Sequence, residues 1–162
     1  MPKRAIAVIG AGTCDEDTRA VAYDVGRLVA SRGGVVVTGG MTGVMESASA
    51  GAHDAGGLVV GILPGLDAST ANSGVDVAIP TGMGQLRNGL VVSAGDAVIA
   101  IGGEWGTLSE IGFALKIGKP VVAWNSWELS RGPIREEQIV RVSTAEEAVD
   151  RAYALLTVQE PV

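Results

Sequence analysis

The strongest constraint on this chain is a recurring pattern: a short apolar run, a turn rich in glycine, then apolar residues at helical spacing. The clearest copy is Ala97-Val98-Ile99-Ala100-Ile101, followed by Gly102-Gly103-Glu104-Trp105-Gly106-Thr107 and then by Leu108, Ile111 and Leu115. A continuous apolar run marks a strand covered on both faces. A helix between consecutive strands of that kind is the crossover that parallel neighbours require. The pattern predicts an α/β fold, a Rossmann-like three-layer sandwich with a mainly parallel sheet, as a single domain over residues 1–162.

In chain order, Ala5 to Ile9 read as the first strand and residues 10–13 as its turn. A helix follows from about Asp17 to Ser31, with Val21, Val25, Leu28 and Val29 inward, and Gly33-Gly34 ends it. Strand two, Val35 to Thr38, opens into Gly39-Gly40-Met41-Thr42-Gly43. The next helix carries Val44, Met45, Ala48, Ala52 and Ala55 and stops at Gly56-Gly57. His53 on this helix is given no role. Strand three is Leu58 to Leu63. The polar stretch Asp67 to Gly74 is either a lid beside the strand ends or a surface connection. Strand four is Val75 to Ile79, and residues 80–82 turn. Gln85 to Ser93 reads as a helix with Leu86, Leu90 and Val91 inward. The helix after strand five runs to Ile117, and strand six is Val121 to Trp124. Asn125 to Glu137 shows no clear period. Ile139 to Val142 is a short strand, and Thr144 caps a last helix, Ala145 to Leu156, in a capping box with Glu147.

The glycine turns at 10–13, 39–43, 80–82 and 102–106 fall at the carboxyl ends of strands, where ligands of such sheets bind. Glycine lets a backbone approach a ligand closely, and the helix beyond presents unpaired N–H groups and a partial positive charge. Together they form an anion site, most often for phosphate. The candidate cradle is Gly39, Gly40, Gly43, Gly102, Gly103, Gly106 and Thr107. Arg87 and Asn88 lie in the first turn of a helix beside it, where an arginine is unfavourable unless an anion is near. Glu110 has an ordinary explanation, because Thr107-Leu108-Ser109-Glu110 fits a capping box. As an ionised carboxylate in the first turn of its helix it could also stabilise positive charge on a sugar carbon or orient a water. A plain strand-to-helix turn remains the alternative for the whole stretch. A dinucleotide fingerprint does not fit: it needs glycine where Asp15 stands, and strand two ends in glycines rather than an acid.

Composition removes other classes. The formal charge of −6 argues against nucleic-acid binding by a basic face. No apolar run is long enough to span a membrane, and Asp15-Glu16-Asp17 interrupts the one stretch that imitates a leader, so a cytoplasmic protein is expected. A single cysteine allows no internal disulfide, and with a single histidine no metal cluster is expected. Apolar residues make up 47% and charged ones only 19%, so part of the surface is expected to be buried between copies in a homo-oligomer, a dimer or tetramer.

The stretches GGMTGVMESASAGAHDAGG, GILPG, LRN and GGEWGTLSEIGFALKIGKPVV resemble the molybdenum-cofactor-carrier and LOG superfamily, over roughly residues 5 to 124. LOG enzymes are phosphoribohydrolases that cleave nucleoside 5′-monophosphates to free base and ribose 5-phosphate. The resemblance implies catalytic roles for Arg87 and Glu110 if this chain is an enzyme. It departs from the LOG pattern: Asn88 stands for a lysine, Gly102 for a proline, and Glu104 and Glu46 for glycines. The Arg87-Asn88 pair, Met45-Glu46 and ALKIGKPVV are more similar to the carrier-like branch, thought to bind molybdopterin or another phosphorylated ligand and to be oligomeric. The resemblance thus implies a binder of a phosphorylated nucleotide or pterin that requires no cofactor. The alternatives are a LOG-type hydrolase and, more distantly, a non-catalytic nucleotide sensor. Lysine decarboxylase activity, a label once given to the superfamily, finds no support in the residues. Trp105, in the cradle, could stack on a base or pterin, although packing or a subunit interface is the commoner use of Trp105, Trp124 and Trp127.

Overall fold

The computed structural model describes residues 2–158; Met1 and residues 159–162 of the expected 1–162 domain lie outside the described residues. Seven strands form one parallel sheet: β1 (Ala5–Gly10), β2 (Val35–Thr38), β3 (Leu58–Leu63), β4 (Val77–Pro80), β5 (Ala97–Ile101), β6 (Val121–Trp124) and, after a small hairpin of β7 (Ser130–Arg131) and β8 (Ile134–Arg135), β9 (Ile139–Val142). Their order across the sheet is β4-β3-β2-β1-β5-β6-β9. Winding proceeds outward from β1 to β4, then returns to the other side of β1 at β5. The boundary between β1 and β5 is therefore where connections diverge, and a crevice opens there at the carboxyl ends.

Among the described residues, five α-helices cover the sheet: α1 (Glu16–Ser31), α2 (Val44–Asp54), α3 (Asn88–Ala94), α4 (Trp105–Lys116) and α5 (Ala145–Val158). Strand residues alternate between two cores. Ile6, Val8, Val36, Ile99 and Ile101 pack with α1, α2 and α5; Ala7, Ile9, Val37, Val98 and Ala100 pack with α3 and α4. All five residues of β5 are buried, as its unbroken apolar run requires. On the first face α1 and α2 cross closely. A Cβ at Gly26 would lie 1.9 Å from the Ala48 carbonyl oxygen, and one at Gly51 1.9 Å from that of Tyr23, so only glycine permits this approach.

Several local readings change. The segment expected as one helix over Gln85–Ser93 is a 3₁₀ turn, Gly84–Arg87, followed by α3. The break in period turns Leu86 and Leu90 outward, not inward, while Val91 is buried as expected. Strand four begins at Val77, not Val75. Asp76 ends the pairing early, its carboxylate accepting the Val59 N–H at 2.8 Å. The stretch without a clear period contains the hairpin β7–β8. Within Asp67–Gly74, Ala68–Thr70 forms a 3₁₀ turn, and Asn72 fastens the loop to the second glycine turn: its N–H donates to Gly40 O at 2.9 Å and its Nδ2 to Met41 O at 2.8 Å. Thr144 caps α5 through the Glu147 N–H at 3.1 Å. Glu147 reaches back to the N–H of Ser143 rather than of Thr144.

No helix among the described residues is long and apolar enough to cross a membrane. No group of three His, Cys, Asp or Glu side chains among them is disposed to hold a metal ion.

Candidate functional site

A cleft of about 460 Å³ opens at the divergence of β1 and β5, of a size that suits a small organic ligand. Val8, Ile9 and Gly10 of β1 form its floor. One wall is the turn after β2, with Gly39, Met41, Thr42 and Met45. The opposite wall is the start of α4, from Glu104 to Thr107, with Glu110 one turn on. Gln85, Arg87 and Asn88 close the end.

Helix α4 begins at Trp105, two residues before the expected cap, which changes the meaning of two side chains. Thr107 and Glu110 lie inside the helix and form no capping box. Glu104 occupies the cap position and gives no side-chain hydrogen bond. By contrast, α1 is capped conventionally by Asp15, whose carboxylate accepts the Thr18 N–H at 2.8 Å. The first N–H groups of α4 are left without a side-chain cap at the cleft wall, where an anion meets both the orphan donors and the positive end of the helix. The local cause is the backbone before it. Gly103 has φ +121, and a Cβ there would lie 2.5 Å from Thr107 Cβ, so the turn coils tightly over its own helix.

Arg87 is the last residue of the 3₁₀ turn and is only 6% exposed. Its guanidinium donates to the Asn88 side-chain oxygen and, at 3.4 Å, to the Gly39 carbonyl; its Nε is buried without a partner. An arginine this buried with a donor to spare is short of an acceptor. Asn88, also buried, turns its amide toward Ser109 Oγ at 3.5 Å. Burial pushes the Glu110 carboxyl up to about 8, against the opposing pull of the Arg87 charge. The expected ionised carboxylate at a helix start is therefore a buried acid that holds its proton at neutral pH. Burial likewise lowers Arg87 from its ordinary value, with Glu110 acting in the other direction.

Of the residues singled out from sequence, Gly39, Arg87, Asn88, Gly106, Thr107 and Glu110 line the cleft. Gly40, Gly43, Gly102 and Gly103 stand behind it and shape its turns. Gly43, at φ +66, brings the turns after β1 and β2 together: a Cβ there would lie 2.2 Å from the Ala11 carbonyl oxygen. Gly102 ties its turn to the neighbouring strand, its N–H donating to Trp124 O at 2.9 Å. The turn at 80–82 follows β4 at the sheet edge and does not reach the cleft. Thr42, Met45, Pro64 and Gln85 complete the lining without having been singled out. The signal that finds them is position, since each follows closely on the carboxyl end of a strand. Glu104 stands exposed at the mouth, so its charge faces solvent.

Comparison with known proteins gives the cleft a context. The model of the family described as SLOG cluster4 matches residues 3–154. An uncharacterized protein of Archaeoglobus fulgidus is 46% identical over 145 residues, 90% of this chain and 91% of that one. The structure of the molybdenum cofactor binding protein of Rippkaea orientalis superposes with a TM-score of 0.88 at 36% identity, covering 96% of this chain and 99% of that one. The molybdenum cofactor carrier protein of Chlamydomonas reinhardtii is similar with a TM-score of 0.83 at 28% identity, covering 96% and 99%.

Proposed function

The chain belongs to the SLOG cluster4 family, and from that premise we propose that its cleft binds a small phosphorylated ligand of the pterin or nucleotide type, as a cytoplasmic binder resembling the molybdenum cofactor carriers. The observation that carries this reading is the buried Arg87, with its unpartnered Nε, in the same cleft lining as the uncapped start of α4. A phosphate there would take charge-assisted hydrogen bonds from the guanidinium and from the N–H groups of Trp105 to Thr107. The two named structural relatives bind or carry the molybdenum cofactor, which supports a ligand of this class. We extend the proposal to a homo-oligomer. Leu86 of the 3₁₀ turn, Leu90 of α3, Phe113 of α4 and Ile117 just beyond it are all exposed apolar residues, and a second copy would cover them.

A second reading, hydrolysis of a nucleoside 5′-monophosphate, is favoured by one observation. Glu110 is a protonated acid lining the same cleft as Arg87, suited to donating a proton to a departing base. One assay separates the two. The protein is incubated with AMP and with an N6-substituted AMP, free base and ribose 5-phosphate are followed by chromatography, and calorimetry measures binding in parallel. Binding without product is expected for the carrier-like reading. Turnover that disappears in Glu110→Gln establishes the hydrolase instead. Protein that is folded and neither binds nor turns over either compound, and also fails to bind a pterin phosphate ester, contradicts both.

A further inference from the structure

Trp105 is 75% exposed, an unusual position for the largest apolar side chain in a chain poor in aromatics. It is the first residue of α4 and lines the cleft mouth. Its ring rests on that of Trp127, with centroids 5.1 Å apart and planes inclined at 34°. Trp127 is fixed in turn. It packs against the core beneath α3 and α4, its indole N–H donates to the Glu104 carbonyl at 3.1 Å, and its own carbonyl accepts from Arg141 at 3.0 Å. Ser126, beside it, holds the glycine turn through the Gly102 carbonyl at 2.5 Å. One face of Trp105 is thus backed by an anchored indole, and the residue remains largely open to solvent at the mouth of the cleft.

We infer that Trp105, held by Trp127, is the stacking platform for a fused planar heterocycle carried by the same ligand whose phosphate lies at Arg87. The inference rests on the phosphate reading of the cleft and adds to it the residue that recognises the ring and the selection that follows from it. The platform and the anion donors are neighbours, because Trp105, Gly106 and Thr107 are consecutive at the start of one helix. Stacking is tolerant of ring identity, since every heterocycle has a π-face. The platform therefore selects ring-bearing phosphate esters over simple sugar phosphates without distinguishing a purine from a pterin. Trp127 is a positioning residue: it holds the platform and leaves the ligand to Trp105.

The test uses calorimetric titration of the full chain at pH 7 with four probes: inorganic phosphate, ribose 5-phosphate, AMP and the phosphate ester of 6-hydroxymethylpterin. At least one ring-bearing ester is expected to bind about tenfold or more tighter than ribose 5-phosphate, about 1.4 kcal/mol. Whichever ester gains more identifies the source of the ring. Trp105→Ala should bring the affinity ratio between that ester and ribose 5-phosphate down toward one. Trp105→Phe should keep most of it. Equal affinity for all esters in the unmodified protein overturns the platform alone, provided ribose 5-phosphate binds. So does an advantage that survives in Trp105→Ala, or a variant that changes only the oligomeric mass. If none of the four probes binds, the phosphate reading falls and the platform with it.

Discussion

The guanidinium of Arg87 lies against the backbone of Gly39, donating to its carbonyl at 3.4 Å, in a space that a side chain on Gly39 would occupy. A Cβ there would stand 2.7 Å from Arg87 Nη2 and 3.0 Å from its Cζ. The turn after β2 thereby fixes the cation of a segment far along the chain, and the missing side chain is what lets the two meet.

Gly39→Ala should displace Arg87 while leaving the fold intact, because the atoms in the way are the far ends of Arg87 and Met45. The expected stability loss is about 1 kcal/mol. The expected loss of affinity for ribose 5-phosphate is about tenfold or more, as for a misaligned charge-assisted bond. Urea denaturation and calorimetric titration on the same preparation check both.

Arg87→Met should separate binding from stability. A buried cation with an unpartnered donor is costly to keep, so the desolvation relieved by an apolar side chain of similar length should offset the lost hydrogen bonds to Asn88 and Gly39. Phosphate-ester binding should disappear while the urea midpoint holds or rises. A midpoint that falls sharply would mean that Arg87 holds the fold together rather than awaiting a ligand.

Glu110 makes the molecule sensitive to alkali. Its folded value near 8 exceeds its ordinary 4.5, so the folded chain keeps a proton that the unfolded chain releases. The stability this contributes is complete below about pH 4.5, declines as pH rises and is gone above about 8. Glu110→Gln, which is neutral at every pH, should gain thermal stability relative to the parent across that interval and hold a constant lead beyond it. Paired melting curves from pH 5 to 9.5 measure the difference. Affinity for phosphate esters should fall as pH passes 8, where Glu110 ionises beside the site, and Glu110→Gln should flatten that fall.

Two glycines of one turn and its helix should respond in opposite directions. Gly103→Ala places a methyl in a left-handed conformation and 2.5 Å from Thr107 Cβ, with an expected cost of about 2–3 kcal/mol. Gly112, exposed inside α4, has open space where a Cβ would go, and Gly112→Ala should stabilise by about 0.5–1 kcal/mol. Chemical denaturation of the two variants reads the sign directly.

Leu86→Asp and Phe113→Asp alter residues exposed on the single chain, so folding should be unaffected. If copies associate through this face, light scattering after gel filtration should show the parent as an oligomer and the variants as smaller species.

The sheet was legible because each of its central strands is an apolar run that ends in a turn, and the helices between them leave few topologies open. Phase was harder to read. Leu86 and Leu90 fit a single helix with Val91 until a 3₁₀ turn with fewer residues per turn is inserted at Gly84–Arg87. The Thr107–Glu110 spacing matches a capping box, but the helix starts at Trp105 with a residue that offers no side-chain cap. Spacing alone cannot tell a cap from two buried side chains that line a cleft. Arg87 and Glu110 were found from their positions near helix starts. Their burial, which decides the protonation of Glu110, comes from packing by segments distant in sequence.

The glycine crossing of α1 and α2 reaches beyond packing. The turns after β1 and β2 lead into these two helices, and the helices are locked at contacts with no slack for a methyl group. Neither can swing without carrying the other, so that side of the cleft behaves as a fixed jaw. The opposite jaw is assembled from two separate segments, the 3₁₀ turn that ends at Arg87 and the start of α4, with Arg87 tied back to the fixed side through Gly39. Differences in ligand preference among related chains should therefore be sought on that side, with the fixed jaw serving as a common gauge.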